Sequence, residues 1–251
     1  AMLQSLDDWD TYLMQQSGLP GPRSNLELLQ VVADLGDESR FDRYLAFDAA
    51  HKPINSPYEY LSLCGVVGQG KLLAEGKKRP LKRLRALASD PRWRIREGAA
   101  MALQRWGDAD MEALLAAMKK WSTGNPLEQR AAAAALCEPR LLKDKKQVRQ
   151  VLAILGVITA SMLKARDRQR DEFQALKKGM GYCWSVAVAA SPEDGKRAME
   201  KWLTREDKDI RWVMAENLKK NRLTKMDAAW VQECQARLAR SPDASNSGDE
   251  T

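Results

Sequence analysis

The fold is decided by one stretch of the chain, Asp90-Pro-Arg-Trp-Arg-Ile-Arg-Glu-Gly-Ala-Ala-Met-Ala-Leu103. It opens with Asp-Pro, which is typical of a turn, and then places Ile95, Ala99 and Leu103 four residues apart. Residues at this spacing share one face of a helix, so the stretch predicts an amphipathic helix. Alanine on that face lets a second helix approach closely, and the amphipathic segment 80–88 just before it is the expected partner.

Two other segments repeat this pattern. The first, Asp209-Ile-Arg-Trp-Val-Met-Ala-Glu-Asn-Leu218, carries the Ile-Arg pair, an alanine and a leucine at the same offsets. The second, Glu128-Gln-Arg-Ala-Ala-Ala-Ala-Ala-Leu136, is a looser copy. Each follows an amphipathic segment of its own. A two-helix unit that recurs in a chain without alternating strand patterns predicts an all-α repeat protein.

At these residues the sequence resembles the HEAT repeats, a class of armadillo-type helical solenoid. The family pattern has a turn Asp and then an apolar-Arg pair, which Asp90 and Arg96 match, whereas Arg205 stands where the copy ending at residue 218 would have its turn Asp. The resemblance covers residues 57–235 and extends to uncharacterised bacterial HEAT-repeat proteins and, loosely, to the DNA-alkylation-repair branch. It implies an α-solenoid of stacked helix pairs. It also implies that Asp90, Arg96 and Arg211 are structural, because the family arginine bonds the turn Asp or neighbouring carbonyls.

Helix starts are indicated by a capping residue followed by proline or by an acidic residue. They are predicted at the segments that begin with Ser24, Ser56, Asn125, Ser191 and Thr224. A long helix is predicted over residues 143–170. A second helical segment, residues 173–190, is crossed by an interruption at Gly179-Met-Gly181.

Charge is distributed unevenly along the chain. The net charge of +7 combines −6 over residues 1–64, +16 over residues 65–240 and −3 over residues 241–251. Together with the repeats, this distribution predicts an acidic N-terminal helical cap over residues 1–56, a HEAT-like repeat segment over residues 57–240 and a disordered tail over residues 241–251.

Composition excludes several classes of chemistry. The chain has 251 residues with a single histidine, His51, so a site that needs two histidines is excluded. The four cysteines are scattered without a C-x-x-C motif, which favours free thiols in a reducing cytoplasm over a zinc or redox site. No apolar run is long enough for a membrane helix, and no secretory leader is recognisable. We therefore expect a cytoplasmic protein with no metal, no cofactor and no membrane partner.

One short segment imitates a nucleotide-binding loop. Residues 65–72 read Gly-Val-Val-Gly-Gln-Gly-Lys-Leu, which fits G-x-x-x-x-G-K. The next position should be Ser or Thr to reach magnesium, but Leu72 has no hydroxyl. The segment also follows a helix start instead of a strand. The alternative, a glycine-rich helix or helix break packed closely on a neighbour, is favoured.

The densest basic region is the basic block, residues 71–105, which holds eleven Lys and Arg residues against three acids. Cations along one edge of a repeat array attract phosphates, and a tryptophan between arginines can stack on a base. The candidate phosphate or nucleic-acid contacts are Lys77, Lys78, Arg79, Lys82, Arg83, Arg92, Trp93 and Arg94. Two alternatives stay open: a solvated basic face with Trp93 covering the core, and a basic surface on which the acidic N-terminal part docks.

The eight tryptophans and the segment Tyr182-Cys183-Trp184 allow either a groove or core packing between repeats. A repair enzyme of the resembling branch would need a carboxylate in such a groove, for which Glu97, Glu128 and Asp209 are candidates. Cys183 has no histidine nearby in sequence, and the serines lack a G-x-S-x-G context and a histidine partner, so no catalytic residue is assigned.

The sequence thus favours a non-enzymatic binding or scaffolding module that presents a curved helical surface to a macromolecular partner, most readily a protein. The alternative is a nucleic-acid-binding protein that uses the basic face, with a DNA-alkylation-repair-like glycosylase as a special case.

Overall fold

In the computed structural model, residues 3–240 are described except 7, 49 and 51. His51 and the predicted tail at residues 241–251 therefore lie outside the described residues. The described part of the chain is all-α and contains no strand. It divides into two compact units, whose boundary lies between Leu114 and Leu115. The first unit takes in both the predicted N-terminal cap and the start of the predicted repeat segment.

The first unit is built around α4. A short 3₁₀ turn at Leu3–Ser5 precedes six helices: α1 Trp9–Gln16, α2 Leu26–Leu35, α3 Glu38–Leu45, α4 Pro57–Ala74, α5 Arg79–Leu87 and α6 Trp93–Ala109. All five other helices pack against α4. Most of α4 is buried all the way round, as expected for a helix at the centre of a bundle.

Close packing accounts for the glycines of α4. A Cβ atom at Gly68 would lie 2.3 Å from the Phe41 ring, and one at Gly70 would lie 2.3 Å from the backbone oxygen of Ala102. Residues 65–72 do not form a nucleotide-binding loop, because they lie within the continuous helix α4. Lys71 instead donates hydrogen bonds to the backbone oxygens of Asp34 and Gly36, at 3.0 and 2.8 Å.

In the second unit, α10 has the central position. Helix α7, Met111–Trp121, spans the junction of the units, and a 3₁₀ turn lies at Pro139–Leu141. The remaining helices are α8 Pro126–Leu136, α9 Lys145–Leu163, α10 Asp171–Ala190, α11 Pro192–Leu203, α12 Lys208–Leu218, α13 Asn221–Met226 and α14 Ala228–Ala239. Helix α10 packs against α8, α9, α11, α12 and α13, and α12 packs in turn against α14.

Local signals located several helix boundaries. Ser56, Asn125 and Ser191 are N-caps as predicted, each followed by proline. Two predicted N-cap residues were wrong, because the helices begin later in the chain. The cap of α2 is Asn25, whose side chain accepts from the amide of Leu28, and the C-terminal start is capped by Asp227 instead of Thr224.

The long helix predicted over residues 143–170 is shorter, because α9 ends at Leu163. The predicted interruption at Gly179–Gly181 is also wrong, since α10 runs through it. Neighbouring side chains lie against the glycines: a Cβ at Gly179 would be 3.2 Å from Cγ of Arg130, and one at Gly181 would be 3.1 Å from the Trp212 ring.

Candidate binding surfaces

Two arginines of the basic block lie inside the first unit. Arg92 is 5% exposed and donates from Nε to the Asp90 carboxylate at 3.0 Å and from Nη1 to the backbone oxygen of Phe47 at 2.8 Å. Arg94 is equally buried; it donates to the Gly21 backbone oxygen at 2.6 Å and lies 3.8 Å from the Glu59 carboxylate. Both guanidinium groups therefore contact residues within the first unit.

Three further cations of the block meet acidic side chains of α3. Lys77 bonds Glu38 at 2.6 Å, while Arg83 bonds Asp42 and Arg79 lies 3.7 Å from the same carboxylate. The acidic N-terminal segment thus neutralises part of the basic block within the first unit.

Five of the candidate residues are exposed: Lys77, Lys78, Arg79, Lys82 and Trp93, the last at 50%. Of these, Lys77 and Arg79 also pair with acidic residues of α3. The phosphate-contact assignment stays a prediction for the whole set.

The residues assigned structural roles hold turns and helix ends. The Asp90 carboxylate accepts from Arg92, and Arg96 donates to the backbone oxygens of Asp90 and Pro91 at 2.7 and 2.9 Å. Arg211 donates to the backbone oxygen of Leu238, next to the end of α14.

Trp93 borders a cavity of about 480 Å³ in the first unit. Leu63 and Met101 supply apolar lining, and Glu97 lies on the same face of α6 as Trp93. The Arg94 guanidinium lies 4.6 Å from the centre of the Trp93 ring. This stacking holds the half-exposed indole at the mouth of the cavity.

A second aromatic surface, which we call the α10–α12 face, lies in the second unit. Tyr182 of α10 is 43% exposed, and the guanidinium of Arg222 lies 4.7 Å from its ring and donates to its hydroxyl. Trp212 of α12 is 37% exposed, with the ammonium of Lys177 at 4.8 Å from its ring. Lys220 lies 6.0 Å from the Tyr182 ring.

The candidate groove carboxylate Asp209 is 3% exposed and engaged by two cations. Lys177 donates to it at 2.7 Å and Arg168 at 3.0 Å. Burial alone would raise the pKa of Asp209, but these hydrogen bonds outweigh it and the pKa lies below its ordinary value. Asp209 therefore anchors the cation that lies over Trp212.

Sequence reasoning only partly located these surfaces. The segment Tyr182-Cys183-Trp184 divides between surface and core, because Tyr182 is exposed while Cys183 and Trp184 are buried. The contributions of Lys177 and Arg222 were missed. No local signal could have found them, because the rings that these two cations contact lie 35 and 40 residues away in sequence.

Comparison with known proteins finds no matching family model, no matching curated protein and no matching solved structure. Within the described residues, no group of His, Cys, Asp and Glu side chains is placed to hold a metal ion. Nor does that part of the chain contain a helix with the length and apolar character needed to cross a bilayer.

Proposed function

We propose that the chain is a non-enzymatic helical-repeat binding module of the HEAT-like, armadillo-type class that engages a protein partner in the cytoplasm. Stacked helix pairs of this class present side chains to an extended partner. The order of contacts in the second unit, α8 to α10 to α12 to α14, supports this architecture. Four buried free cysteines support a reducing compartment.

One observation carries the binding proposal. Among the residues that the structure describes, three aromatic residues are between a third and a half exposed: Trp93, Tyr182 and Trp212. Each lies against a cationic side chain. Aromatic and arginine residues dominate the binding energy of protein interfaces, and a cation–π contact orients the ring before a partner arrives.

Site-specific photocrosslinking tests the proposal. Benzoylphenylalanine replaces Tyr182 or Trp212 in the full chain, and Val157, an exposed residue of α9, is the matched control. We expect a discrete protein adduct at positions 182 and 212, lost when Arg222→Glu reverses the charge beside Tyr182. Adducts of equal yield at the control position, or none at all, would contradict a binding surface on α10 and α12.

A second candidate function, binding of single-stranded nucleic acid, is favoured by the same face. Its rings offer stacking platforms, and Lys220 and Arg222 can contact phosphates, whereas Lys177 is bonded to Asp209. Binding of a single-stranded oligonucleotide should then weaken steeply as salt rises. Lack of binding at low salt rules this candidate out and leaves the protein-binding proposal intact. The buried, doubly paired Asp209 gives no support to excision chemistry.

A further inference from the structure

A cleft between α9 and α11 in the second unit is separate from the α10–α12 face. Its volume is about 440 Å³, within the range of sites that bind small organic molecules. Leu152 and the partly exposed Trp202 contribute apolar lining, while Trp184 of α10 borders the cleft but is fully buried. Small side chains, Ala153 of α9 and Ala198 of α11, line the two sides of the cleft and leave space between the helices.

Gly156 is the least expected residue of this cleft. It lies inside the 19-residue helix α9, where glycine is less favourable than alanine. A Cβ atom built there would meet nothing within 4 Å, unlike the Cβ positions at Gly68 and Gly70 of α4. Packing of the fold therefore does not require this glycine. Its effect is to leave the backbone of α9 open to whatever enters the cleft.

The charged lining is predominantly cationic. Arg149, Arg197 and Lys201 line the cleft, and the one acid among the lining residues is Asp194. Asp194 accepts from Arg197 at 2.6 Å and from Arg149 at 3.4 Å. The ammonium group of Lys201 has no ion-pair partner within the described part of the chain. An anionic group is the complement of this surplus of positive charge.

We propose that the cleft binds an amphipathic organic anion. The apolar body lies on Leu152 and Trp202 against the backbone at Gly156, and a carboxylate, sulfonate or phosphate group pairs with Lys201 and Arg197. The proposal is independent of the protein-binding function, because the residues that carry it lie on α9 and α11 and the aromatic rings of the α10–α12 face do not line the cleft.

The probe is 8-anilinonaphthalene-1-sulfonate, an aromatic sulfonate whose fluorescence rises in an apolar site, titrated into the full-length chain. We expect saturable binding. Gly156→Leu fills the cleft and should weaken the affinity by about tenfold or more. Lys201→Gln should weaken it by about two- to fivefold, and Lys201→Arg should restore it.

Measuring the Tm together with dye affinity distinguishes an effect on the fold from an effect on the cleft. Gly156→Ala should raise Tm by about 1–3 °C, since alanine favours the helix and the methyl group meets no neighbour, while it still weakens dye binding. A purely structural role for this position would not move the two quantities in opposite directions. Lys178→Gln, at an exposed lysine of α10, is the matched charge control and should change neither.

Three outcomes overturn the proposal. The first is dye affinity that is unchanged in Gly156→Leu. The second is a loss of binding with Trp93→Ala alone, which would place the dye in the cavity of the first unit. The third is the absence of saturable binding to the folded chain.

Discussion

The basic block of the first unit and the α10–α12 face of the second differ in how their cations are used. The block is denser in sequence, but Arg92 is buried and Lys77 and Arg83 bond acidic residues of α3. The face has fewer cations. Arg222 lies over Tyr182 and donates to its hydroxyl, whereas Lys177, which lies over Trp212, also bonds the buried Asp209. Charge density along a chain therefore does not measure the charge available to a partner, because availability depends on which side chains the fold brings together.

The largest expected effect is at the buried end of the basic block. Arg92→Ala removes the guanidinium from the partly buried Asp90 carboxylate, which keeps only the backbone amide of residue 92, and it removes a hydrogen bond to the Phe47 backbone. Breaking one side of a buried ion pair costs about 3–5 kcal/mol of unfolding free energy. Urea denaturation followed by circular dichroism measures this loss.

The matched control is Lys82→Ala, at an exposed position of the same block. We expect its unfolding free energy to stay within about 0.5 kcal/mol of the unsubstituted chain. Equal effects of the two substitutions would mean that burial does not divide the block as described.

The sequence could predict features that depend on neighbouring residues, but not features that depend on residues far away in the chain. All-helical structure and the caps Ser56, Asn125 and Ser191 were predictable because capping and proline act within one turn. Burial of Arg92 and Arg94 was not, because their partners Phe47 and Gly21 lie 45 and 73 residues away.

The same reasoning applies to helix ends and to the second unit. The charged segment 164–170 gives no local stop signal, so the end of α9 at Leu163 was missed. The continuity of α10 depends on packing, since Arg130 of α8 and Trp212 of α12 lie against Gly179 and Gly181. The exposed pair of Tyr182 and Trp212 likewise requires two helices to be adjacent.

A smaller effect is expected at Asp209, which positions Lys177 over Trp212. Burial raises the pKa of Asp209. The hydrogen bonds from Lys177 and Arg168 lower it by more than burial raises it, so the pKa in the folded chain is below the unfolded value. The stabilisation is then complete above an unfolded pKa of about 4 and is lost as the pH falls through the folded pKa. Asp209→Asn should lose about 1–3 kcal/mol at neutral pH.

Urea denaturation of this variant across the acid range measures the pH dependence. The difference from the unsubstituted chain should shrink as the pH falls below about 4. Glu193→Gln, at an exposed acid of α11, should keep the original profile. A difference that stays constant with pH would show that the Asp209 carboxylate is not the titrating group.

The smallest effect on stability is expected when cations of the basic block are released from their acidic partners, so that they become available as Arg222 is on the α10–α12 face. The double substitution Glu38→Gln and Asp42→Asn releases Lys77, Arg79 and Arg83 from their acidic partners. Exposed ion pairs stabilise weakly, so the unfolding free energy should fall by no more than about 1 kcal/mol per pair. Binding to duplex DNA should become tighter and more salt-dependent, with the slope of log K against log salt steeper by about 0.9 for each phosphate newly contacted. The control is the double substitution Glu27→Gln and Glu193→Gln, at exposed acids of α2 and α11, which removes the same two negative charges without releasing a cation of the block. If the control steepens the slope as much as the substitutions in α3 do, net charge alone governs binding and the pairing of α3 with the basic block is irrelevant to it.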